Sequence, residues 1–157
     1  MKDLTGARTE QGLFDKPLFG LIPVPGQMSQ IDPEDLPPLV LAYLGDAVYE
    51  LYVRCGLVTR GFIRVNQLHQ EAISLVRATC QAQYLHMIED VLTDEEKRVM
   101  KRGRNAKSGH IPRNVGVVDY RWSTGFESLI GYLYLRQRFE RLNDILSRLP
   151  WPAKNAK

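Results

Sequence analysis

The stretch Leu39-Val40-Leu41-Ala42-Tyr43-Leu44-Gly45-Asp46-Ala47-Val48-Tyr49-Glu50-Leu51-Tyr52-Val53 decides the fold of this chain. It is almost entirely apolar and predicts a largely buried helix that continues to about Arg54. Asp46 lies in its middle, where a buried carboxylate is costly unless it is paired or coordinates a metal ion. Gly45 precedes it, and glycine inside a helix costs about 1 kcal/mol relative to alanine, which is tolerated where another helix or a ligand must approach closely. Glu50, one turn later, is a second candidate ligand, although an i,i+4 ion pair with Arg54 is the simpler interpretation.

A second apolar helix is predicted over Phe126-Glu127-Ser128-Leu129-Ile130-Gly131-Tyr132-Leu133-Tyr134-Leu135, and it also contains one carboxylate near its start. The structural alternative for Glu127 is a salt bridge with Arg121 or another arginine. Two lone carboxylates on two apolar helices instead suggest a shared site for a divalent metal ion. Thr124, one helical turn before Glu127, is a candidate for orienting a water molecule or a ligand at that site.

The chain is predicted to be all-α, because no alternating strand pattern and no internal repeat occurs in it. Residues 1–31, punctuated by proline and glycine, are predicted to form an extended arm. Residues 32–150 are predicted to form one helical domain, and residues 151–157 a short tail. After the first helix, a second helix is expected over 67–89. A third should start with a capping box at Thr93–Glu96 and end near Gly103, followed by a loop over 105–116. Two more helices are expected over 117–137 and 140–149.

The segment Lys97–Arg113 is rich in basic residues and contains no acidic one. Glycine, asparagine, serine and histidine accompany the positive charges, a composition that suits contact with phosphate groups. The alternative is a solvated charged face. The candidate RNA-contacting residues in this segment are Lys101, Arg102, Arg104, Asn105, Lys107, Ser108 and Arg113.

Composition excludes several classes of protein. The 157 residues carry 21 basic and 18 acidic side chains, a mildly basic balance, and 44% of the residues are hydrophobic, which is enough for a compact core. Cys55 and Cys80 are far apart and outside any C-x-x-C pattern, so a zinc ribbon or disulfide scaffold is not expected. No signal segment and no apolar run of membrane-spanning length is present, so a soluble cytoplasmic protein without a membrane partner is expected.

Several motifs in the same order resemble the ribonuclease III family. Leu41–Val48 resembles its signature helix, and Thr124–Gly131 resembles its second catalytic helix, with Arg77–Thr79 between them. Arg102–Gly109 and Tyr120–Thr124 are similar to segments of the small bacterial branch called Mini-ribonuclease III. The resemblance implies the helical fold of the ribonuclease III catalytic domain. It leaves the N-terminal arm unexplained.

The resemblance implies an endoribonuclease that cleaves double-stranded RNA and leaves 5′-phosphate and 3′-hydroxyl ends, with a role in maturation of large-subunit (23S) ribosomal RNA. Asp46 and Glu127 would be the catalytic residues and would bind Mg²⁺, or Mn²⁺ in its place. Ordinary ribonuclease III has two further carboxylates, at the positions of Ala42 and Thr124. The small branch has the same reduced set, so activity is expected, with more water ligands on the metal ion.

The resemblance further implies a homodimer formed through the signature helix, with Tyr43 and Leu44 at the interface. No double-stranded RNA-binding domain is expected, so the basic segment would have to hold the substrate. The rival interpretation is a non-catalytic RNA-binding module with a ribonuclease III fold, motivated by Ala42 and Thr124. Retention of both Asp46 and Glu127 favours the enzyme, because a module that only binds RNA has no use for buried carboxylates.

Overall fold

The computed structural model describes residues 31–152, and all regular structure within them is helical. The all-α prediction is therefore confirmed. The predicted arm, apart from Ile31, and residues 153–157 of the predicted tail lie outside the described residues. The six α-helices are α1 (Pro38–Thr59), α2 (Val65–Val76), α3 (Ala78–Ile88), α4 (Asp94–Asn105), α5 (Val117–Leu135) and α6 (Phe139–Ser147). Short 3-10 turns at Pro33–Asp35 and Glu89–Val91 precede α1 and α4.

Helix α5 forms the centre of the domain and packs against α1, α3, α4 and α6. Its apolar side chains cover its whole circumference over most of its length, which is typical of a core helix rather than a surface one. Phe126, Leu129, Ile130 and Leu133 have no solvent exposure. Each such side chain contributes about 1.5–3 kcal/mol by leaving water. Glu127 thus lies on the central, largely buried helix of the domain.

Helices α1 and α5 cross with their backbones in direct contact, and glycine is what permits this. A Cβ atom on Gly45 would collide with the backbone carbonyl oxygen of Glu127, and one on Gly131 would collide with the carbonyl oxygen of Leu41. Of the two reasons for a glycine next to Asp46, the close approach of another helix is therefore the one observed. The crossing places Asp46 on α1 beside Glu127 on α5.

Helix α4 begins at the predicted capping box, which the structure confirms. The Thr93 hydroxyl oxygen accepts a hydrogen bond from the Glu96 backbone N–H at 3.2 Å, and the Glu96 carboxylate accepts one from the Thr93 N–H at 2.9 Å. Glu96 is buried and forms an ion pair with Arg141 of α6 at 2.8 Å. One glutamate thus both caps α4 and fastens it to α6.

The predicted helix over 67–89 is wrong in one respect, because it consists of two helices. Arg77 between α2 and α3 has an extended backbone, with φ −63° and ψ 149°. The Gln81 side chain closes the break by donating a hydrogen bond from Nε2 to the Val76 carbonyl at 2.9 Å. The change of direction lets α2 pack on α1 while α3 packs on α5.

Helix α1 is longer than predicted and continues to Thr59. Gly56, which follows the predicted end at Arg54, lies inside the helix, where the Trp151 ring occupies the space that a Cβ would take. Trp151, which was assigned to the tail, packs on Tyr52 with ring centroids 5.6 Å apart and lies under the Arg60 guanidinium at 3.9 Å. This aromatic contact fastens residue 151 to the helical domain.

Within residues 31–152, none of the helices combines the length and the apolar character that crossing a membrane requires.

Candidate active site

Asp46 and Glu127 line one open cleft of about 350 Å³. Helices α1 and α5 form two of its walls, and the loop over residues 106–116 supplies one residue to its rim. The juxtaposition follows from the glycine-mediated crossing, since Asp46 comes directly after Gly45 and Gly45 contacts the backbone of Glu127. The lining residues are Leu39, Ala42, Tyr43, Asp46, Ser108, Tyr120, Thr124 and Glu127.

Asp46 is exposed, so the expectation of a buried carboxylate at this position is wrong. Its side chain points out of the α1–α5 contact into the cleft rather than into the core. Partial loss of solvent nevertheless raises the pKa of Asp46, and the negative charge of Glu50 raises it further. Glu50 is paired with Arg54 at 2.6 Å, as the i,i+4 spacing predicted. Glu50 does not line the cleft.

Glu127 is half-buried, and its pKa is raised to about 8. Loss of solvent is the largest cause, and the negative charge of Asp46 adds to it, while the neighbouring Gln81 side chain lowers the pKa. The alternative of a salt bridge is not observed, because no ion pair among residues 31–152 includes Glu127 or Asp46. Two carboxylates that repel each other and have no cationic side-chain partner form a site that a positive ion would stabilise.

Gln81, to which no sequence pattern pointed, lies next to Glu127 and does not line the cleft. It is 1% exposed, and its Oε1 atom has no hydrogen-bond partner within the described part of the chain. A buried unpartnered amide oxygen is uncommon. No sequence signal singles out this glutamine, since the helix break at Arg77 brings it towards α5.

The donor set of the cleft suits a hard divalent cation. Asp46 and Glu127 supply carboxylate oxygens, and the Thr124 hydroxyl, which donates to the Tyr120 carbonyl at 2.9 Å, keeps lone pairs free to accept from a bound water. No third histidine, cysteine or acidic residue forms a metal-binding group with them in residues 31–152. Mg²⁺ tolerates such a site because it retains several water molecules, whereas structural zinc requires nitrogen or sulfur ligands.

The predicted RNA-contacting residues separate into a helical and a loop group. Arg102 and Arg104 lie on α4, because the helix extends to Asn105, two residues beyond the predicted end near Gly103. The Arg102 guanidinium donates to the backbone carbonyls of Glu34 and Leu36 at 2.6 and 3.0 Å, so it fastens the turn before α1. This engagement leaves Arg102 less able to reach a phosphate than the sequence suggested.

Arg104 lies over the Trp122 ring at 4.9 Å, and its Nε donates to the Asn105 side chain at 3.2 Å. Lys101 is exposed on α4, beside a shallow groove that Asn105 and Arg102 also line. Lys107 and Arg113 are exposed on the loop. These basic side chains therefore lie on α4 and on the loop that follows it, and none of them lines the cleft.

Ser108 is the member of the predicted set that lines the cleft, and its partner there is Tyr120. The Ser108 and Tyr120 hydroxyl oxygens are 3.1 Å apart. Tyr120 was not singled out as a site residue, although a signal existed. Tyr120, Thr124 and Glu127 are spaced i, i+4 and i+7, which places them on one face of α5.

The two residues predicted at a dimer interface differ in exposure. Tyr43 is 85% exposed, whereas Leu44 is half-buried and packs against the core. Tyr43 belongs to an exposed apolar row on α1 that also contains Leu39, Val40 and Leu51. The row borders the cleft, since Leu39 and Tyr43 line it.

The chain is similar to known proteins in sequence and in fold. The family model described as the Ribonuclease III domain matches residues 39–138. A Mini-ribonuclease 3 of Symbiobacterium thermophilum is 50% identical over 119 residues, which cover 76% of this chain and 92% of that protein. A Mini-ribonuclease 3 of Thermoanaerobacter sp. is 51% identical over 111 residues, covering 71% and 78%. A crystal structure of a Fusobacterium nucleatum protein aligns with TM-score 0.67 and 32% identity, covering 74% of this chain and 93% of that one. The chain therefore belongs to the ribonuclease III family, in its Mini-ribonuclease 3 branch, and is an endoribonuclease.

Proposed function

We propose that the chain is a Mg²⁺-dependent endoribonuclease that cleaves double-stranded RNA as a homodimer, with Mn²⁺ able to replace Mg²⁺. The observation that carries this proposal is the pair of carboxylates, Asp46 and Glu127, in one open cleft without any ionic partner in the described residues. The substrate that the family resemblance implies is the precursor of large-subunit (23S) ribosomal RNA, and the cytoplasm is the implied location.

Asp46 and Glu127 would hold the metal ion, and each contributes differently. Glu127 lies on the buried core helix α5, whereas Asp46 is exposed and is placed by the contact of Gly45 with the Glu127 backbone. When bound, Mg²⁺ supplies an activated water molecule and neutralises charge on the scissile phosphate. Deprotonation of Glu127 is required for it to act as a ligand, so the raised pKa makes binding of the cation dependent on pH.

The residues that would hold RNA are basic and lie on α4 and on the loop that follows it. Lys101 and Arg104 on α4 and Lys107 and Arg113 on the loop carry positive charge at or near the surface. Duplex RNA is recognised mostly through its shape, its phosphates and its 2′-hydroxyl groups. Contacts of this kind give an affinity that falls with salt and a modest sequence preference.

The homodimer is proposed from the exposed apolar row on α1. Leu39, Val40, Tyr43 and Leu51 face solvent next to the cleft. A two-fold axis through this row would place two clefts on one assembly, and two clefts would cut both strands of a duplex.

The test compares Asp46→Asn and Glu127→Gln with the wild-type protein on a defined duplex RNA, with and without Mg²⁺. Both variants preserve side-chain size and remove the charge that binds the cation. We expect cleavage by the variants to fall by at least about a thousandfold, because the charge stabilisation supplied by a catalytic metal is worth several kcal/mol. Mapping of the ends should give 5′-phosphate and 3′-hydroxyl groups.

Two matched variants serve as controls. Asp90→Asn changes an exposed carboxylate that does not line the cleft and should leave cleavage unchanged. Glu50→Gln tests the remaining acidic candidate near Asp46. If this variant lost activity, Glu50 would be assigned as a metal ligand on α1. If the wild-type protein bound duplex RNA but did not cut it in Mg²⁺ or Mn²⁺, the rival of a non-catalytic RNA-binding module would replace this proposal.

A further inference from the structure

The loop over residues 106–116 is tied to the cleft by hydroxyl groups. Ser108 Oγ donates to the backbone carbonyl of His110 at 3.0 Å and lies 3.1 Å from the Tyr120 hydroxyl. A serine hydroxyl has one hydrogen, and that hydrogen is used on His110. The Tyr120 hydroxyl is therefore the donor to Ser108. The result is a chain of two hydrogen bonds running from α5 into the loop.

We propose that Tyr120 is a positioning residue that tethers the basic loop at the mouth of the active-site cleft. The inference rests on the proposed function for its consequence, the binding of duplex RNA, but the tether itself is a property of the RNA-free protein. Tyr120 stands on α5, one turn before Thr124 and two turns before Glu127. The same helix that carries Glu127 thereby sets the position of the loop.

The ionisable side chains in the loop that the tether positions are all basic. Lys107 precedes Ser108 directly, His110 accepts its hydrogen bond, and Arg113 follows, while residues 106–116 contain no acidic side chain. A glycine on either side of His110–Val115, at 109 and 116, gives this segment backbone freedom. Without an anchor, a loop of this composition would sample many positions, and only a fraction of them would place its charges for contact with RNA. Apparent affinity falls in proportion to the competent fraction.

Other contacts of Tyr120 do not replace the tether. Its backbone carbonyl accepts from the Ser123 and Thr124 hydroxyls at 2.8 and 2.9 Å, contacts within α5 that do not involve its phenol group. Removing the phenolic oxygen alone should therefore leave the helix intact and release only the loop. Tyr120→Phe makes this change.

The first measurement uses limited digestion with trypsin in the absence of RNA. Trypsin cleaves after Lys107 and Arg113, the two basic residues of the loop that it recognises. Cleavage at these sites should be faster in Tyr120→Phe and Ser108→Ala than in the wild type, by about two- to tenfold, the range that one hydrogen bond of ordinary strength provides. Ser147→Ala is the matched control, because Ser147 also donates to a backbone carbonyl, that of Asp144 at 2.9 Å, but on α6.

The second measurement is equilibrium binding of a labelled RNA duplex, with Ca²⁺ in place of Mg²⁺ so that the duplex is not cut. Affinity should fall by about two- to tenfold in both Tyr120→Phe and Ser108→Ala, for the same reason. The double variant should lose no more affinity than Ser108→Ala alone, because the hydrogen bond that Tyr120→Phe removes is already absent in Ser108→Ala. Thermal unfolding midpoints of the variants should stay close to that of Ser147→Ala.

Each alternative outcome overturns the proposal in a recognisable way. Unchanged digestion in both single variants would mean that the hydroxyl pair does not restrain the loop. Weaker RNA binding with unchanged digestion would mean that the Tyr120 hydroxyl contacts RNA directly. Additive losses in the double variant would mean that the two hydroxyls act independently. If Tyr120→Phe fails to fold, Ser108→Ala tests the same bond from the loop side. Digestion needs no RNA or metal, so its result is separate from the failure of the proposed function.

Discussion

Glu127 has the most costly environment among the site residues. Its carboxylate is half-buried on a core helix, next to Asp46 and without a cationic partner in the described residues, and these surroundings raise its pKa to about 8. In the metal-free protein near neutral pH, Glu127 is therefore largely protonated. A bound cation would favour the ionised carboxylate over the protonated one. The unfavourable ionisation of Glu127 in the free protein is therefore linked to its ability to bind metal.

We predict that Glu127→Gln stabilises the metal-free protein above neutral pH. Between pH 4.5 and 8 the native state keeps a proton that the unfolded state has released, so stability falls as pH rises through this interval. Glutamine cannot ionise, so the stability of the variant should not fall in this way. At pH 8.5 the free energy of unfolding of the variant should exceed that of the wild type by on the order of 1 kcal/mol or more. Below pH 4.5 both states are protonated and the difference should vanish.

Thermal unfolding in EDTA at pH 4, 6 and 8.5 measures the effect. Glu71→Gln is the control, because Glu71 is a half-buried glutamate on α2 that does not line the cleft. A difference between Glu127→Gln and the wild type that stayed constant across pH would show that packing, rather than ionisation, sets the stability of the variant.

At the scale of helices, the site exists because α1, α4 and α5 approach one another at glycines. Gly45 and Gly131 allow α1 to touch α5, and Gly103 allows α4 to approach α5, where a Cβ would collide with the Ser128 hydroxyl. Ser128 in turn donates to the Pro38 carbonyl at 2.9 Å, at the start of α1. The three helices are therefore held at short separations without any large side chain between them.

We predict that Gly45→Ala destabilises the protein by about 2 kcal/mol or more, and that it abolishes cleavage. The added methyl group would collide with backbone atoms of Glu127, which cannot rotate away, and overpacking of this kind usually costs about 1–3 kcal/mol. The gain in helix propensity, about 1 kcal/mol, is smaller. Urea denaturation in EDTA gives the stability, and duplex cleavage gives the activity.

Gly109→Ala provides the comparison, since a Cβ there meets no atom within 4 Å. Its stability should be close to that of the wild type. Wild-type stability in Gly45→Ala would mean that the helices cross farther apart than the structure has them.

At the scale of the whole molecule, the exposed apolar row on α1 is the feature that a monomer leaves unexplained. Tyr43, at 85% exposure, is a large aromatic side chain beside the cleft rather than in the core. Burial of an aromatic ring at an interface is among the strongest contributions to association. The proposed dimer would remove this row from water.

We predict a mass of twice 18.0 kDa by light scattering at micromolar concentration. Tyr43→Arg should shift the protein towards the monomer, because it would place a charge in the apolar interface. Ile73→Arg is the matched control, since Ile73 is also exposed but lies on α2. A wild-type monomer that still cut both strands of a duplex would remove the dimer from the mechanism.

Local sequence patterns determined the helical class, most helix boundaries, the capping box at Thr93–Glu96 and the Glu50–Arg54 pair. These features depend on residues within one or two turns of each other, so periodicity and capping residues suffice to predict them. The choice of Asp46 and Glu127 as candidate site residues also came from the sequence, because a lone carboxylate in an apolar helix is conspicuous. The fold confirmed the helical class, and it brings these two carboxylates into one cleft.

Only the tertiary structure decided the features that depend on distant segments. Asp46 is exposed rather than buried, because α1 turns that side towards the cleft. Arg102 is engaged by carbonyls of Glu34 and Leu36, more than 60 positions away in the chain. The break at Arg77 brings Gln81 next to Glu127, and the Tyr120 hydroxyl meets the Ser108 hydroxyl of the loop. Helical periodicity describes which face a residue occupies, but the partner of that face is set by how whole helices pack, and that packing is a property of the folded chain.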